Sequence, residues 1–370
     1  MIYLDNGATS FPKPEGVIRA VNRAMETCAN PGRGAHDAAR EGAQAVFSCR
    51  QTAAEFFDCR PEQVVFTPNC TQGLNMAIRT LLKPGDRVVI SGFEHNAVTR
   101  PLHHLRCRIR VAGRRLFDPE DTLRQFRRAL DAGARAAVFT HVSNVFGYVL
   151  PVEEMAALCR NRGVPFVVDA AQSAGTEEVS LSKLGADFIA MPGHKGLLGP
   201  MGTGLLLCGR LPAPFVLGGT GSESMVQWMP DFLPDRGEAG TVNVPGIAGL
   251  EAGIRTVTEL GREDLRCREA ELAARAAEIL RELGMEVFCG PHQAGTVSFR
   301  CDMDCEEAAR RLGETGIALR AGLHCAPLAH RSAGTQNSGT LRLSFGWQNA
   351  ENELQSLQEA VRTRIAAVNP

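Results

Sequence analysis

From about residue 62 the chain alternates short β-rich runs with helical stretches, and this alternation restricts the fold more than any other feature. The β-rich runs fall near 63–67, 87–91, 108–112, 136–140, 166–170, 187–191 and 203–208, with helical patterns separating the first five. Parallel strands must be joined by crossovers long enough for a helix, so the repeat predicts a parallel sheet covered on both faces. The stretch from Pro192 to Gly202 breaks the pattern, because it is too rich in glycine and proline for a crossover helix. The last two strands are therefore expected to run antiparallel. The result is a mostly parallel seven-stranded sheet with one antiparallel member.

Residues 211–245 are rich in Gly, Pro and Ser and read as a long ordered loop, of the kind found at functional sites and interfaces. From about 246 helices dominate. Short strands are expected near 285–289, 295–301, 317–320 and 340–345, and a closing helix over 350–366. The architecture predicted is α/β: a large domain over 16–255, and a smaller α+β domain made of 1–15 together with 256–370.

Composition excludes several classes of function. The formal net charge of the 370 residues is -1, which leaves no basic footprint for nucleic acid. No apolar run is long enough to span a bilayer, and the N-terminus lacks the basic and apolar regions of a signal peptide. The 12 cysteines form no C-x-x-C pair and lack a matching His/Cys pair at zinc spacing. They read as reduced thiols of a cytoplasmic protein, with no metal site expected.

In open parallel sheets ligands bind at the carboxyl ends of the strands, so the residues that follow each strand matter most. After the first comes Thr67-Pro68-Asn69-Cys70-Thr71-Gln72, opening a helix. Its free N–H groups suit a phosphate, and a plain N-cap is the structural alternative. After the second comes Glu94-His95-Asn96, where His95 could stack on a flat heteroaromatic ring, move protons or serve structure alone. Asn144 follows the fourth strand in a tight turn.

Asp169 ends the fifth strand, and a carboxylate finishing an apolar buried strand needs a compensating partner. A pyridinium nitrogen would be one, its proton held by the carboxylate so that the ring acts as an electron sink. A magnesium ion or a ribose is the other reading. Gln172 could bond a phenolic oxygen. Lys195 follows the sixth strand in a glycine-rich turn on the same rim, poised for a Schiff base. Desolvation and neighbouring cations would lower its pKa and expose a nucleophilic amine. In the second domain, Cys325 sits beside His324 in a short loop, a reasonable place for a reactive thiol. Arg342, within an apolar strand, wants a bidentate anion such as an α-carboxylate.

In this order the segments resemble the class V group of fold-type-I pyridoxal 5'-phosphate (PLP) enzymes. Within that group they are most similar to the cysteine desulfurases that supply sulfur for iron–sulfur clusters. The resemblance runs from Tyr3-Leu4-Asp5-Asn6-Gly7-Ala8-Thr9-Ser10 and Arg33-Gly34-Ala35-His36 through Glu94-His95, Ser143-Asn144-Val145, Asp169-Ala170-Ala171-Gln172 and Gly193-His194-Lys195. It continues through Glu238-Ala239-Gly240-Thr241 to the Cys325 loop and Arg342.

The resemblance implies a fold-type-I PLP transferase in which Lys195 holds the cofactor covalently and later moves the substrate proton. It implies that His95 stacks on the ring, Asp169 pairs with its nitrogen and Gln172 with its phenolic oxygen, and Asn144 lies near that oxygen and the substrate carboxylate. Cys70, Thr71 and His194 would bind phosphate, with Thr241 reaching in from the second subunit of a homodimer. Arg342 would grip the carboxylate of L-cysteine. Cys325 would take the sulfur as a persulfide, release L-alanine and pass the sulfur to a protein acceptor. L-Selenocysteine lysis, transamination and racemisation are the other reactions such a scaffold supports. The absence of G-x-G-x-x-G after the first strand speaks against a dinucleotide site, and Lys195 with Asp169 speaks against a non-catalytic scaffold. Three positions depart from the family pattern: Pro192 for a phosphate-binding hydroxyl, Cys70 for a threonine, and Leu323 for a histidine in the Cys loop.

Overall fold

The computed structural model describes residues 1–32 and 34–366; Arg33 of the Arg33-Gly34-Ala35-His36 motif lies outside the described residues. The chain opens with a two-residue strand, β1 (Ile2–Tyr3). It then supplies β2 (Val64–Thr67), β3 (Arg87–Ser91), β4 (Arg108–Ala112), β5 (Ala136–Thr140), β6 (Phe166–Asp169), β7 (Phe188–Pro192) and β8 (Gly204–Cys208). These seven form one sheet in the order β2-β8-β7-β6-β5-β3-β4. β3, β4, β5, β6 and β7 pair in parallel, and β8 runs antiparallel to both β2 and β7. The single antiparallel member is the strand that follows the glycine-rich turn, as the missing crossover helix requires.

Both faces of the sheet are covered, so alternate residues of each strand enter one of two apolar cores. Val89, Phe139, Val168 and Leu207 point to one face, packed with Phe57, Phe93 and Phe126. Val88, Val138, Val167 and Leu206 point to the other, against Leu74 and Ile78 of the helix Cys70–Leu81.

The C-terminal part adds β9 (Glu286–Phe288), β10 (Thr296–Arg300), β11 (Ile317–Ala318), β12 (Arg320–Gly322) and β13 (Thr340–Ser344). An antiparallel sheet in the order β12-β13-β10-β9 backs onto a third core, in which Leu4 joins Leu272, Phe299, Leu343 and Leu357. The stretch expected as one strand over 317–320 is two. Ile317–Ala318 pairs in parallel with β1, while Arg320–Gly322 pairs with β13. No described helix is long and apolar enough to cross a membrane.

The Gly/Pro-rich segment before residue 244 carries only the 3-10 turn Asp235–Gly237. One buried ion pair anchors its far end. Arg50, on the helix Asp37–Phe56, donates through both terminal nitrogens to Glu238 at 2.9 Å each, and Phe66 N donates to the same carboxylate at 2.7 Å. The guanidinium also lies 4.6 Å from the centre of the Phe66 ring. Both side chains are more than nine-tenths buried. Removing one member of such a pair leaves a buried charge uncompensated. Glu238→Ala is therefore expected to cost about 3–5 kcal/mol in urea unfolding. Limited proteolysis of that variant should cut first within 211–245.

Candidate active site

The carboxyl ends of β5, β6 and β7 and the N-terminus of the helix Cys70–Leu81 enclose a cleft of about 520 Å³. Eight of the residues singled out in the sequence line it: Cys70, Thr71, His95, Asn144, Asp169, Gln172, His194 and Lys195. Pro192 lines it as well, where it offers no donor.

Asp169 is 2% exposed. Its Oδ1 accepts hydrogen bonds from Ala171 N at 2.9 Å and from the Cys70 thiol at 3.5 Å. Among the described residues no hydrogen bond reaches Oδ2, so half of the carboxylate awaits the partner that its burial demands. Lys195 shares the cleft. Burial lowers its pKa most, the Arg342 cation lowers it further, and Asp169 opposes both. Its amine is thereby easier to deprotonate than an ordinary lysine. The turn that carries it needs glycine for close approach. A Cβ on Gly193 would lie 2.2 Å from Thr203 Oγ1, and one on Gly196 would lie 2.3 Å from Ala174 O.

The histidines are held neutral. His95 caps its own helix by accepting from Ala97 N at 3.0 Å through Nδ1, which leaves the proton on Nε2. Burial lowers its pKa, against the pull of Asp169. His194 is brought to about 4, by burial first and then by Lys195 and Lys13, and its buried Nδ1 has no partner among the described residues. Glu94, the residue before His95, is fully buried and joins two strand ends. Its carboxylate accepts from Ser91 N and Oγ at the end of β3 and from Thr140 N at the end of β5. The sequence signal for that role is a charged residue three positions after the end of an apolar strand.

Arg342 does not present an open fork. It is 2% exposed, donates from Nη2 to Asp5 Oδ1 at 2.7 Å and from Nη1 to Asn144 O at 2.8 Å, and its buried Nε has no partner among the described residues. Asp5 Oδ2 also accepts from Arg320 Nε at 3.0 Å. Arg342 thus touches the cleft through Asn144. The remaining amide groups are partly committed: Asn144 Nδ2 donates to His324 O at 2.7 Å, and Gln172 Nε2 donates to Gly7 O at 2.9 Å.

Cys325 is exposed, and its loop hangs on the cleft by two hydrogen bonds. One is the Asn144 contact to His324 O, and the other runs from Asn96 N to Cys325 O at 2.8 Å. His324 and Cys325 are consecutive non-glycine residues in the left-handed region, with φ of 48° and 55°. Such residues persist only where their surroundings hold them. Adjacency in sequence does not make His324 a partner of the thiol. Its ring is buried against Thr340 Oγ1 at 3.3 Å, and burial together with Arg342 lowers its pKa to about 2. A neutral, inward-turned imidazole supplies no cation to draw the thiol down. Thr241 is exposed and lies in a separate cavity with Thr67, Gln72 and Asn243, so a single chain does not bring it to the cleft.

These features fit PLP. The free oxygen of a buried carboxylate suits a pyridinium nitrogen, a neutral histidine suits the ring face, the helix N-terminus suits phosphate, and a depressed lysine suits a carbonyl carbon. The Asp5–Arg342 pair, which ties the N-terminal segment to β13, should be costly to break. Asp5→Ala is expected to lose about 3–5 kcal/mol of stability. Arg320→Ala, on the half-exposed arm of the same cluster, should lose no more than about 1 kcal/mol. Urea denaturation of the two variants side by side checks the contrast.

Comparison with known proteins agrees with this geometry. The family model for aminotransferase class-V matches residues 2–357. A probable cysteine desulfurase of Methanothermobacter thermautotrophicus is 33% identical over 97% of this chain and 94% of its own length. A cysteine desulfurase of Haloferax volcanii is 30% identical over 98% of this chain and 88% of its own. Among solved structures, the apo form of a cysteine desulfurase from Thermococcus onnurineus NA1 superposes with a TM-score of 0.90 at 32% identity, covering 98% of this chain and 94% of that one. The cysteine desulfurase CsdA of Escherichia coli gives 0.84 at 26% identity, over 97% and 93%. With its cleft at the carboxyl ends of a mostly parallel sheet and full-length similarity to these proteins, the chain belongs to the aminotransferase class-V family.

Proposed function

We propose that this protein is a PLP-dependent cysteine desulfurase that converts L-cysteine to L-alanine and receives the sulfur on Cys325 as a persulfide. The observation that carries the reading is the pairing of a buried, half-satisfied Asp169 with a pKa-depressed Lys195 in one cleft, beside a loop that exposes a cysteine. Lys195 would hold the cofactor, His95 its ring face, Asp169 its nitrogen, and Gln172 and Asn144 its phenolic oxygen. The N-terminus of the helix Cys70–Leu81, with Thr71 and His194, would hold its phosphate. Bound there, PLP supplies an electron sink for charge developing on the substrate carbon.

The protein's own groups do the rest. The neutral amine of Lys195 takes and returns the substrate proton. Arg342, oriented by Asp5 and Asn144 O, offers its remaining N–H groups to the α-carboxylate. Cys325 attacks the substrate sulfur as a thiolate: an S–S bond forms, the C–S bond breaks, and protonation of the β-carbon completes alanine. With His324 neutral and turned away, the thiol's proton must leave to solvent or substrate.

The same reading makes the protein a homodimer. Leu217, Met225 and Trp228 in the long segment are 73%, 94% and 85% exposed, an apolar surface suited to a second subunit, and Thr241 would then reach the partner's phosphate site. The domains proposed are 16–255 and 1–15 with 256–370; the apolar core around Leu4, Leu272 and Leu343 draws only on the second, while Ala326 and Ala329 of the second pack into the core of the first. A reducing cytoplasm would keep all 12 cysteines as thiols, and a protein acceptor in iron–sulfur cluster assembly would collect the sulfur.

Purified protein incubated with L-cysteine should release equal amounts of alanine and, in the presence of a reductant, sulfide. Cys325→Ala should still change the visible absorbance on adding cysteine but lose about 100-fold or more of alanine formation, since a hydroxyl or water is a far poorer nucleophile than a thiolate. Arg342→Lys, which keeps the charge but loses the N–H groups left over from Asp5 and Asn144 O, should weaken apparent affinity for cysteine by about 1.5–3 kcal/mol. Wild-type turnover in Cys325→Ala would remove the persulfide from the mechanism.

A further inference from the structure

The peptide that carries Lys195 is gripped by the other end of the chain. The carbonyl oxygen of His194 lies within hydrogen-bond reach of four donors: Ser10 N at 3.0 Å, Thr9 Oγ1 at 3.0 Å, Ser10 Oγ at 3.2 Å and Lys13 Nζ at 2.8 Å. A carbonyl has two lone pairs, so these donors compete, and the charged one makes the strongest bond. Lys13 Nζ also donates to Ser10 Oγ at 2.7 Å. Among the described residues its ammonium has no carboxylate partner, although the side chain is half-buried and burial lowers its pKa to about 8. A desolvated cation whose contacts are one hydroxyl and one carbonyl is unusual unless that carbonyl has to be held.

The rest of the turn shows why. Gly193 N donates to Thr203 O at 2.9 Å, and Lys195 O accepts from Leu198 N at 2.9 Å. The His194–Lys195 peptide lies between these two anchors, and residues 9–13 hold it. The same N-terminal segment bonds Gln172 through Gly7 O and Arg342 through Asp5.

We infer that Lys13 is a positioning residue for Lys195, locking the His194–Lys195 peptide so that the Lys195 amine is presented to the cleft. This rests on the reading of Lys195 as the cofactor lysine. Lys13 does not line the cleft; it acts through the backbone carbonyl of His194. Small displacements of a reacting group carry large rate penalties, so loss of the clamp should be felt in capture and turnover more than in substrate binding.

The test reconstitutes apoenzyme with PLP, follows covalent capture by visible absorbance, and maps the borohydride-fixed peptide. Wild-type protein should fix the cofactor on Lys195; fixation elsewhere overturns both the reading of the cleft and the inference. In Lys13→Met, capture should slow about tenfold and kcat should fall in parallel, with KM for L-cysteine within about twofold of wild type. Lys13→Arg, which keeps a charged donor, should recover most of both rates. Lys13→Gln takes the place of the methionine variant if that one does not fold. Fixation on Lys195 with wild-type capture and kcat in Lys13→Met or Lys13→Gln overturns the inference and leaves the function standing.

Discussion

A buried guanidinium has to be surrounded by acceptors, and in this protein that requirement organises the site around Arg342. The side chain sits in β13, in the middle of the smaller sheet, and it takes one acceptor from each of two distant parts of the chain. Asp5 comes from the N-terminus, brought there by the pairing of β1 with β11. The carbonyl of Asn144 comes from the turn after β5 in the large sheet. Satisfying one cation therefore docks the smaller lobe onto the rim of the larger one. It also aligns residues 5–13 along the cleft and leaves the Asn144 amide free to hold the Cys325 loop.

The cleft is arranged so that cations of the protein are suppressed while one anion is kept. Burial acts against charge on Lys195, His95 and His194, and the nearby Arg342 adds to that pressure on Lys195. Asp169 remains with one oxygen satisfied by an N–H and a thiol and the other unclaimed among the described residues. A site of this kind has room for a cation brought by a ligand and a neutral amine ready to react. The Cys70 thiol is part of that arrangement: it donates to Asp169 as well as lining the cleft.

The cysteine loop illustrates how adjacency in sequence misleads. His324 and Cys325 are neighbours in the chain, yet the left-handed backbone at both sends the imidazole inward and the thiol outward. The thiol is exposed, and its loop is held by Asn96 and Asn144 from the large lobe.

The sequence by itself determined the sheet and its rim. Strand positions, the parallel direction of most strands and the antiparallel β8 follow from local pattern, because burial on two faces writes continuous apolar runs and a glycine-rich connection cannot be a crossover helix. The eight cleft residues were legible for the same reason: polar groups at the ends of such runs stand out. Tertiary structure alone decided what a two-residue strand such as β1 pairs with, the break at Leu319 between two sheets, the capture of Arg342 by Asp5, the strand-joining role of Glu94 and the inward turn of His324. Each of these depends on contacts between residues tens to hundreds of positions apart or on a backbone conformation imposed by them. No local period or spacing records such contacts.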